Sequence, residues 1–508
     1  MTTEEQAERA AAGELRQRAT LSEYEFTADT PGEGRLPAWL RAVWNSVATK
    51  WQARPVMTQQ SGFNNALADW LERSLGEADV EARSLDVYRQ ITRLNAAVGR
   101  PAAGARRLGY RAANPAGGDR LRIAYFSPMP PSRSGIADYS AALLPHLAEL
   151  ADVTVFTASA AAAPLGDIPM MPADRYPFVR DQFDLPLYQM GNSDQHEAIY
   201  DLLLSHPGVV VLHDYFIHHF MHYHTAGQGH WTEYEWEMIY NLGAFDEGRR
   251  LARAVRHGQA AVPLFDIPLN RRLIDTSLGI VVHSQFAAAR ARQGRPDLPL
   301  LIAPPLIEIR DGHSRRAELG LPDEVVIFGS FGQVTAEKQI DLALRTLAEV
   351  RDDHPQSHYL LVGEPQPDVD PAALLAEIDG AGFVHSIGFV DTLDAFVDWI
   401  HTADVVVNLR LPTVGETSAV ALRAMAAARP LIVFDHGWYS ELPADAAIKV
   451  PPGDVAAMGE AMARLAATPE LRQAMGAAGR RYVEQYCQPA HVARSMIDFL
   501  KAVLEPHR

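Results

Sequence analysis

The chain has a single cysteine in 508 residues, Cys487, so neither an internal disulfide nor a multi-cysteine metal site can be built from it. Apolar runs are short. None reaches the roughly 18 residues that a membrane-spanning helix needs. Net positive charge is missing too: 46 Lys and Arg face 63 Asp and Glu, a formal charge of -17, which argues against nucleic acid as a partner. The first residues, MTTEEQAERAAAGELRQRA, lack a basic segment followed by an apolar one, so they do not read as a secretion signal. A cytoplasmic protein is expected.

What remains is an ordinary globular composition, 47% hydrophobic and 21% charged, over a length that exceeds what one hydrophobic core usually supports. Residues 1–118 read as a helical extension, with Trp39, Leu40, Val43, Trp44, Val47 and Trp51 on one helix face, able to hold a second subunit or extend a binding site. An Arg-, Gly- and Pro-rich linker follows. From 119 to about 305, the apolar runs LRIAYF, VTVFT, LPLYQMG, GVVVLHD and GIVVHS alternate with helical stretches, which predicts a parallel sheet. A second series, VVIFGSFG, HYLLVGE, VHSIGFV, ADVVVNL and PLIVFD, fills 306–484, and 485–508 reads as a helix returning to the first domain. The fold class is therefore α/β, with two Rossmann-like parallel sheets. Such sheets bind ligands outside the carboxyl ends of their strands, so a site between the domains is expected.

Four stretches carry the chemistry. In NLRLPTVGETSAVALRAM (408–425) a strand runs through Gly415 and Glu416 into a helix capped by Thr417 or Ser418, whose free N–H groups would suit a diphosphate. In GSFGQVTAEKQIDLAL (329–344), Lys338 reads as the start of a helix, where a cation opposes the helix dipole unless an anion lies between them. In SPMPPSRSGIADYS (127–140), Gly135 opens a helix directly after a strand; the three-glycine dinucleotide signature is absent, which disfavours an NAD enzyme. In GVVVLHDYFIHHFMHYH (208–224), His213 and Asp214 end a buried strand and so lie at the cleft edge. His218 and His222 share a helix face, but no His-Glu motif accompanies them, and no metal is expected. A basic stretch, DEGRRLARAVRHG (246–258), reads as a solvated face or a landing surface for an anionic or lipid-linked acceptor, that is, a peripheral membrane contact.

Over about residues 120–500 these motifs resemble the retaining glycosyltransferases of family 4, which share the fold called GT-B, and within them a subgroup with a Gly-Glu-Thr-Ser donor motif. The resemblance implies donor contacts from Gly135, Ile136, Gln333, Lys338, Val390, Arg410, Glu416, Thr417, Ser418 and Ala419, and acceptor contacts from Asp214 and Tyr139. It gives catalytic parts to Glu416, Lys338 and His213, the last at the donor sugar's 6-hydroxyl. Two positions depart from it: Gln333 replaces an arginine, and Arg423 stands where a ribose-binding glutamate is expected. Arg410 is the candidate to supply the missing cation. The implied activity is metal-independent, cofactor-free transfer of a hexose-type sugar from a nucleotide diphosphate sugar to a hydroxyl acceptor by front-face substitution. A sugar-nucleotide epimerase or a non-catalytic donor-binding partner is the alternative.

Overall fold

The computed structural model describes residues 120–505 apart from 133, 160 and 368. The extension expected over 1–118, its Trp39–Trp51 face and any oligomer contact through it lie outside the described residues. The described strands form two sheets in which every pairing is parallel. In the first, β1 (Arg122–Phe126), β2 (Asp152–Thr157), β3 (Met170–Pro172), β4 (Leu185–Met190), β5 (Val209–Leu212), β6 (Gly279–Val282) and β7 (Leu300–Ile302) lie in the order 3-2-1-4-5-6-7. In the second, β8 (Val326–Phe331), β9 (Ser357–Val362), β10 (Val384–Gly388), β11 (Val405–Val407), β12 (Leu431–Phe434) and β13 (Ala447–Val450) run 10-9-8-11-12-13. Strand order reverses at β1/β4 and at β8/β11, and the loops leaving those strands diverge to open a crevice.

The inner strands are largely apolar because helices cover both faces. Alternate residues feed opposite cores: Ala124, Phe126, Tyr188, Met190, Val210 and Leu212 on one side of the first sheet, and Ile123, Tyr125, Leu187, Val209 and Val211 on the other. The second sheet divides likewise, with Ile327, Leu360, Val406 and Val433 opposite Phe328, Leu361, Val407 and Phe434. Sequence reading passed over β3, β7 and β13. All three are edge strands of three or four residues, and Lys449 in β13 has no continuous apolar run around it.

The last two helices tie the domains together. Pro469–Tyr486 packs on the helix Ala419–Ala426 at Gly476, where any Cβ would overlap the Ala428 carbonyl. The chain then crosses over, and Pro489–Leu504 buries Val492, Met496, Ile497 and Leu500 in the same cluster as Ile123 and Tyr125, against the helix Gly135–Leu150. The crossing is pinned where Ile307 N–H donates to the Cys487 carbonyl at 2.8 Å.

Three further contacts close the cleft. Phe216 N–H donates to the Val414 carbonyl at 2.9 Å. Gly415, at φ +74°, fits between Tyr215 and Phe286, where a Cβ would come within 2.7 Å of Tyr215 Cβ. The Glu441 carboxylate of the second domain accepts the N–H groups of Gln285 and Phe286, each at 2.8 Å, at the start of the first-domain helix Gln285–Gly294. That carboxylate caps a helix whose amino end attracts negative charge. Glu441→Ala is therefore expected to open the domains, raising the radius of gyration in small-angle scattering and lowering the melting temperature. An unchanged radius with ligand absent would show that the cap does not hold the closed form.

Candidate active site

A cavity of about 640 Å³ lies between the two sheets, lined by residues that follow β1, β4, β5 and β6 of the first and β11 of the second. Of the residues proposed from sequence, Gly135, Ile136, Tyr139, His213, Asp214, Glu416, Thr417 and Ala419 line it. Gln333, Lys338, Val390, Arg410 and Ser418 are not among its lining residues. Arg423, which stands where a ribose-binding glutamate is expected, lines it as well, as do Asp138, Asn192, His196, His283, Glu308 and Arg310, none of which sequence reasoning assigned to the site.

The second-domain wall is built from the loop after β11. Glu416 folds back on that loop: Oε1 accepts Arg410 Nε at 2.5 Å, and Oε2 accepts the Thr413 hydroxyl and the Val414 N–H, both at 2.7 Å. Arg410, expected to supply a missing cation, is thus paired with Glu416 and does not line the cavity. Ser418 is the helix cap, accepting the Ala421 N–H at 3.1 Å. The N–H groups of Ala419 and Val420 then have no partner within the described chain, as first-turn amides do not. Lys338 also needs correction. It closes a single 3-10 turn, Ala336–Lys338, and Gln339 at φ +51° separates it from the helix Ile340–Val350, so no dipole opposes it. Its Nζ donates to the Phe331 carbonyl at 2.9 Å, and burial with Arg410 nearby brings the ammonium down to about 7. Lys338 Nζ and Val420 Cγ2 lie 3.0 and 3.8 Å from one point beside Gly332, which places the lysine next to the start of the helix Ala419–Ala426.

Two arginines face the same cavity in different states. Arg310 is held by Glu308 at 2.8 Å and by Asp394 at 2.7 Å. The Arg423 guanidinium makes no hydrogen bond or ion pair among the described residues; burial depresses its pKa, and Asp138 across the cleft raises it. Gln333 is exposed at the loop after β8, and Val390 packs against the second-domain core.

The first-domain wall is a chain of neutral imidazoles. His283 Nδ1 lies 2.9 Å from the Ala303 carbonyl, which can only accept, so Nδ1 carries the proton and Nε2 a lone pair. His213 Nδ1, 3.2 Å away, must donate to that lone pair. His213 Nε2 is then an acceptor, and the Gln189 carboxamide at 2.9 Å must present its NH2, which is the group otherwise left without a partner. Burial holds His213 well below the usual imidazole range and His283 at about 4, so both are uncharged. Neither nitrogen of His213 is free for a sugar hydroxyl in this arrangement. Asp214 accepts the Asn192 N–H at 2.9 Å through one oxygen, and burial, then the charge of Glu416, raises it to about 6. Gly135 faces open space, with nothing within 4 Å of where a Cβ would sit.

Of the neighbouring histidines, His218 is fully hydrogen-bonded within the first domain, to the Ile267 carbonyl at 2.7 Å and the Tyr234 hydroxyl at 2.9 Å. Among the described residues no group of three His, Cys, Asp or Glu is placed to hold a metal ion. The basic stretch forms the helix Phe245–Arg256, with Arg249 and Arg253 paired to Glu235. No described helix is long and apolar enough to cross a membrane.

Residues 322–468 match the family described as Glycosyl transferases group 1. The D-inositol 3-phosphate glycosyltransferases of Streptomyces avermitilis and Streptomyces scabiei are 27% and 26% identical to this chain over 208 residues. That stretch is 38% of this chain and 43% and 45% of theirs, so the match spans less than half the length of these curated relatives. Among solved structures, sucrose-phosphate synthase of Thermosynechococcus elongatus superposes with a TM-score of 0.53 at 18% identity, over 76% of this chain and 99% of that one. Anabaena HepE in complex with UDP and glucose gives 0.52 at 14%, over 75% and 100%. The described residues thus have the two-domain GT-B fold, and the second domain carries the Glycosyl transferases group 1 match.

Proposed function

We propose that the protein is a glycosyltransferase that moves a hexose-type sugar from a nucleotide diphosphate sugar to a hydroxyl acceptor. The observation that carries this reading is the cavity between the sheets, into which the first turn of the helix Ala419–Ala426 opens from one domain and Gly135 from the other. Unpaired amides at a helix start suit a diphosphate, and Gly135 leaves room for it to approach. Negative charge grows on the diphosphate as the glycosyl bond breaks, so preorganised positive potential at that point lowers the barrier. The Ala419 and Val420 amides, Lys338 and the uncommitted Arg423 supply it. These groups do the work that a divalent cation does in other transferases, and chelation should leave activity unchanged.

Double displacement needs a carboxylate free to attack the anomeric carbon. Glu416 is not free, since both oxygens are bonded within its own loop. A front-face route balances without one: the anomeric carbon to phosphate oxygen bond breaks, the acceptor oxygen bonds to that carbon on the same face, and the departing diphosphate takes the acceptor's proton. The anomeric configuration is retained. The loop that Glu416 holds together then shapes the sugar site rather than reacting.

A thermal-shift panel of UDP, GDP, ADP and dTDP sugars tests the reading, since a ligand bound by the folded state alone raises the melting temperature. One donor class should stand out, and with acceptor it should yield a product whose anomeric proton coupling matches the donor's. Conversion of the donor without acceptor would point to an epimerase. No shift with any donor would remove the reading.

A further inference from the structure

We infer that His196 and Tyr139 form, with Asp214, a hydroxyl-recognition subsite on the first-domain wall of the cavity, built for a polyhydroxylated ligand such as a sugar ring. The inference rests on the proposed transfer activity and names which residues read the sugar. The family resemblance implies that role for His213, but its bonds to Gln189 and His283 leave His213 no free nitrogen.

His196 is in the opposite condition. It follows β4 at the point where strand order reverses, is 1% exposed, and lines the cavity. Its Nδ1 lies 3.1 Å from the Ser193 carbonyl and 3.1 Å from the Ser193 hydroxyl. The carbonyl only accepts, so Nδ1 carries the proton, and burial holds the ring neutral, with a pKa of about 4. Nε2 is therefore a lone pair, and it is buried with no partner among the described residues. Tyr139 supplies the complement. Its ring stacks edge-on to His213 at 4.7 Å, and its hydroxyl is also buried without a partner. Burial raises the phenol well above its usual range, so it stays a neutral donor.

Buried polar groups are nearly always hydrogen-bonded, so two orphans lining one cavity point to a ligand that completes them. Asp214 joins them: its Oδ2, which accepts the Asn192 N–H, and the His196 Cε1 lie 3.3 and 3.2 Å from a single point beside Gly191. Two acceptors and one donor converging on one pocket match vicinal hydroxyls, each of which can donate and accept. A site whose buried groups need those hydroxyls rejects a deoxy analogue strongly, because the analogue leaves them unpaired. The hydroxyls belong either to the donor's sugar or to a sugar acceptor, and the experiment separates the two.

Tyr139→Phe removes only the hydroxyl and keeps the ring, and His196→Leu removes the lone pair. Affinity for the nucleotide diphosphate sugar, for the bare nucleoside diphosphate and the KM for acceptor are measured in each variant. Both variants should bind the bare nucleoside diphosphate as the wild type does. The loss, about tenfold or more, should fall on the sugar-bearing donor if the donor sugar fills the subsite, or on acceptor KM if the acceptor does. The wild-type preference for hydroxylated over deoxy sugars should shrink in parallel. If Tyr139→Phe changes neither quantity and keeps the full preference against deoxy analogues, the subsite does not exist. Wild-type protein that binds no nucleotide sugar at all would instead remove the proposed activity.

Discussion

Glu416→Ala is expected to lower transfer by about 100-fold or more while both sheets stay folded. The carboxylate is the common acceptor for Arg410, Thr413 and Val414, and the segment it ties together leads directly into the helix start at Ser418. Removing it leaves Arg410 largely buried and unpaired, a cost on the order of 2 kcal/mol or more that falls on this loop alone. The electrostatic consequence reaches further. An unneutralised Arg410 repels Lys338 more strongly, and the lysine, already at about 7, loses its charge near neutral pH. Asp214 moves the other way, because part of its upward shift to about 6 comes from Glu416. Glu416→Gln separates the two effects. It keeps most of the loop's shape, so residual activity should exceed that of alanine, and the acid limb governed by Asp214 should move to lower pH. A glutamine variant with wild-type turnover and an unmoved acid limb would show that the carboxylate's charge is irrelevant.

Lys338→Met carries the second large effect, a fall in kcat of about 100-fold or more, with nucleoside diphosphate affinity reduced as well. Wild-type protein already contains a signature of this role. In the free protein the lysine titrates at about 7, so below that pH it is charged and ready for a diphosphate, and above it the proton must be taken up on binding. Nucleoside diphosphate affinity should therefore decline as pH rises above 7. Calorimetry at pH 8 in buffers of different ionisation enthalpy should report close to one proton absorbed per ligand bound. In Lys338→Met that proton uptake should vanish. Uptake that persists in the variant would assign the proton to another group, and equal affinity from pH 7 to 9 in the wild type would show that the lysine does not meet the phosphates.

How far the sequence foretold this arrangement differs between sheet and site. Inner strands such as GVVVLHD and VVIFGSFG were readable because helices bury both of their faces and their apolar runs are unbroken. The edge strands β3, β7 and β13 span only three or four residues, with prolines bounding the first two and Lys449 within the third. In the site, His213 and Asp214 were legible as residues at the end of a strand, and His283 could have been, since it directly follows β6, whose Val282 pairs with Leu212 just before His213. Two adjacent strands ending in histidine is a pattern visible in GVVVLHD and GIVVHS. His196 and Asn192 gave no comparable sign. They reach the cavity only because β4 pairs with β1, a neighbour relation that depends on strand order rather than on any local run. Lys338 was found by its motif, but its setting was misjudged, because the αL residue Gln339 that detaches it from the helix looks like any glutamine in sequence.

The proposed transfer requires one receptacle for a diphosphate, at the start of the helix Ala419–Ala426 and facing Gly135 across the cleft. A crystal grown with a nucleoside diphosphate tests it most directly. The phosphates should lie within hydrogen-bonding distance of the Ala419 and Val420 amides, with Lys338 turned from the Phe331 carbonyl toward them. Phosphates seated elsewhere, with those amides still unpaired and Lys338 still on Phe331, would contradict it.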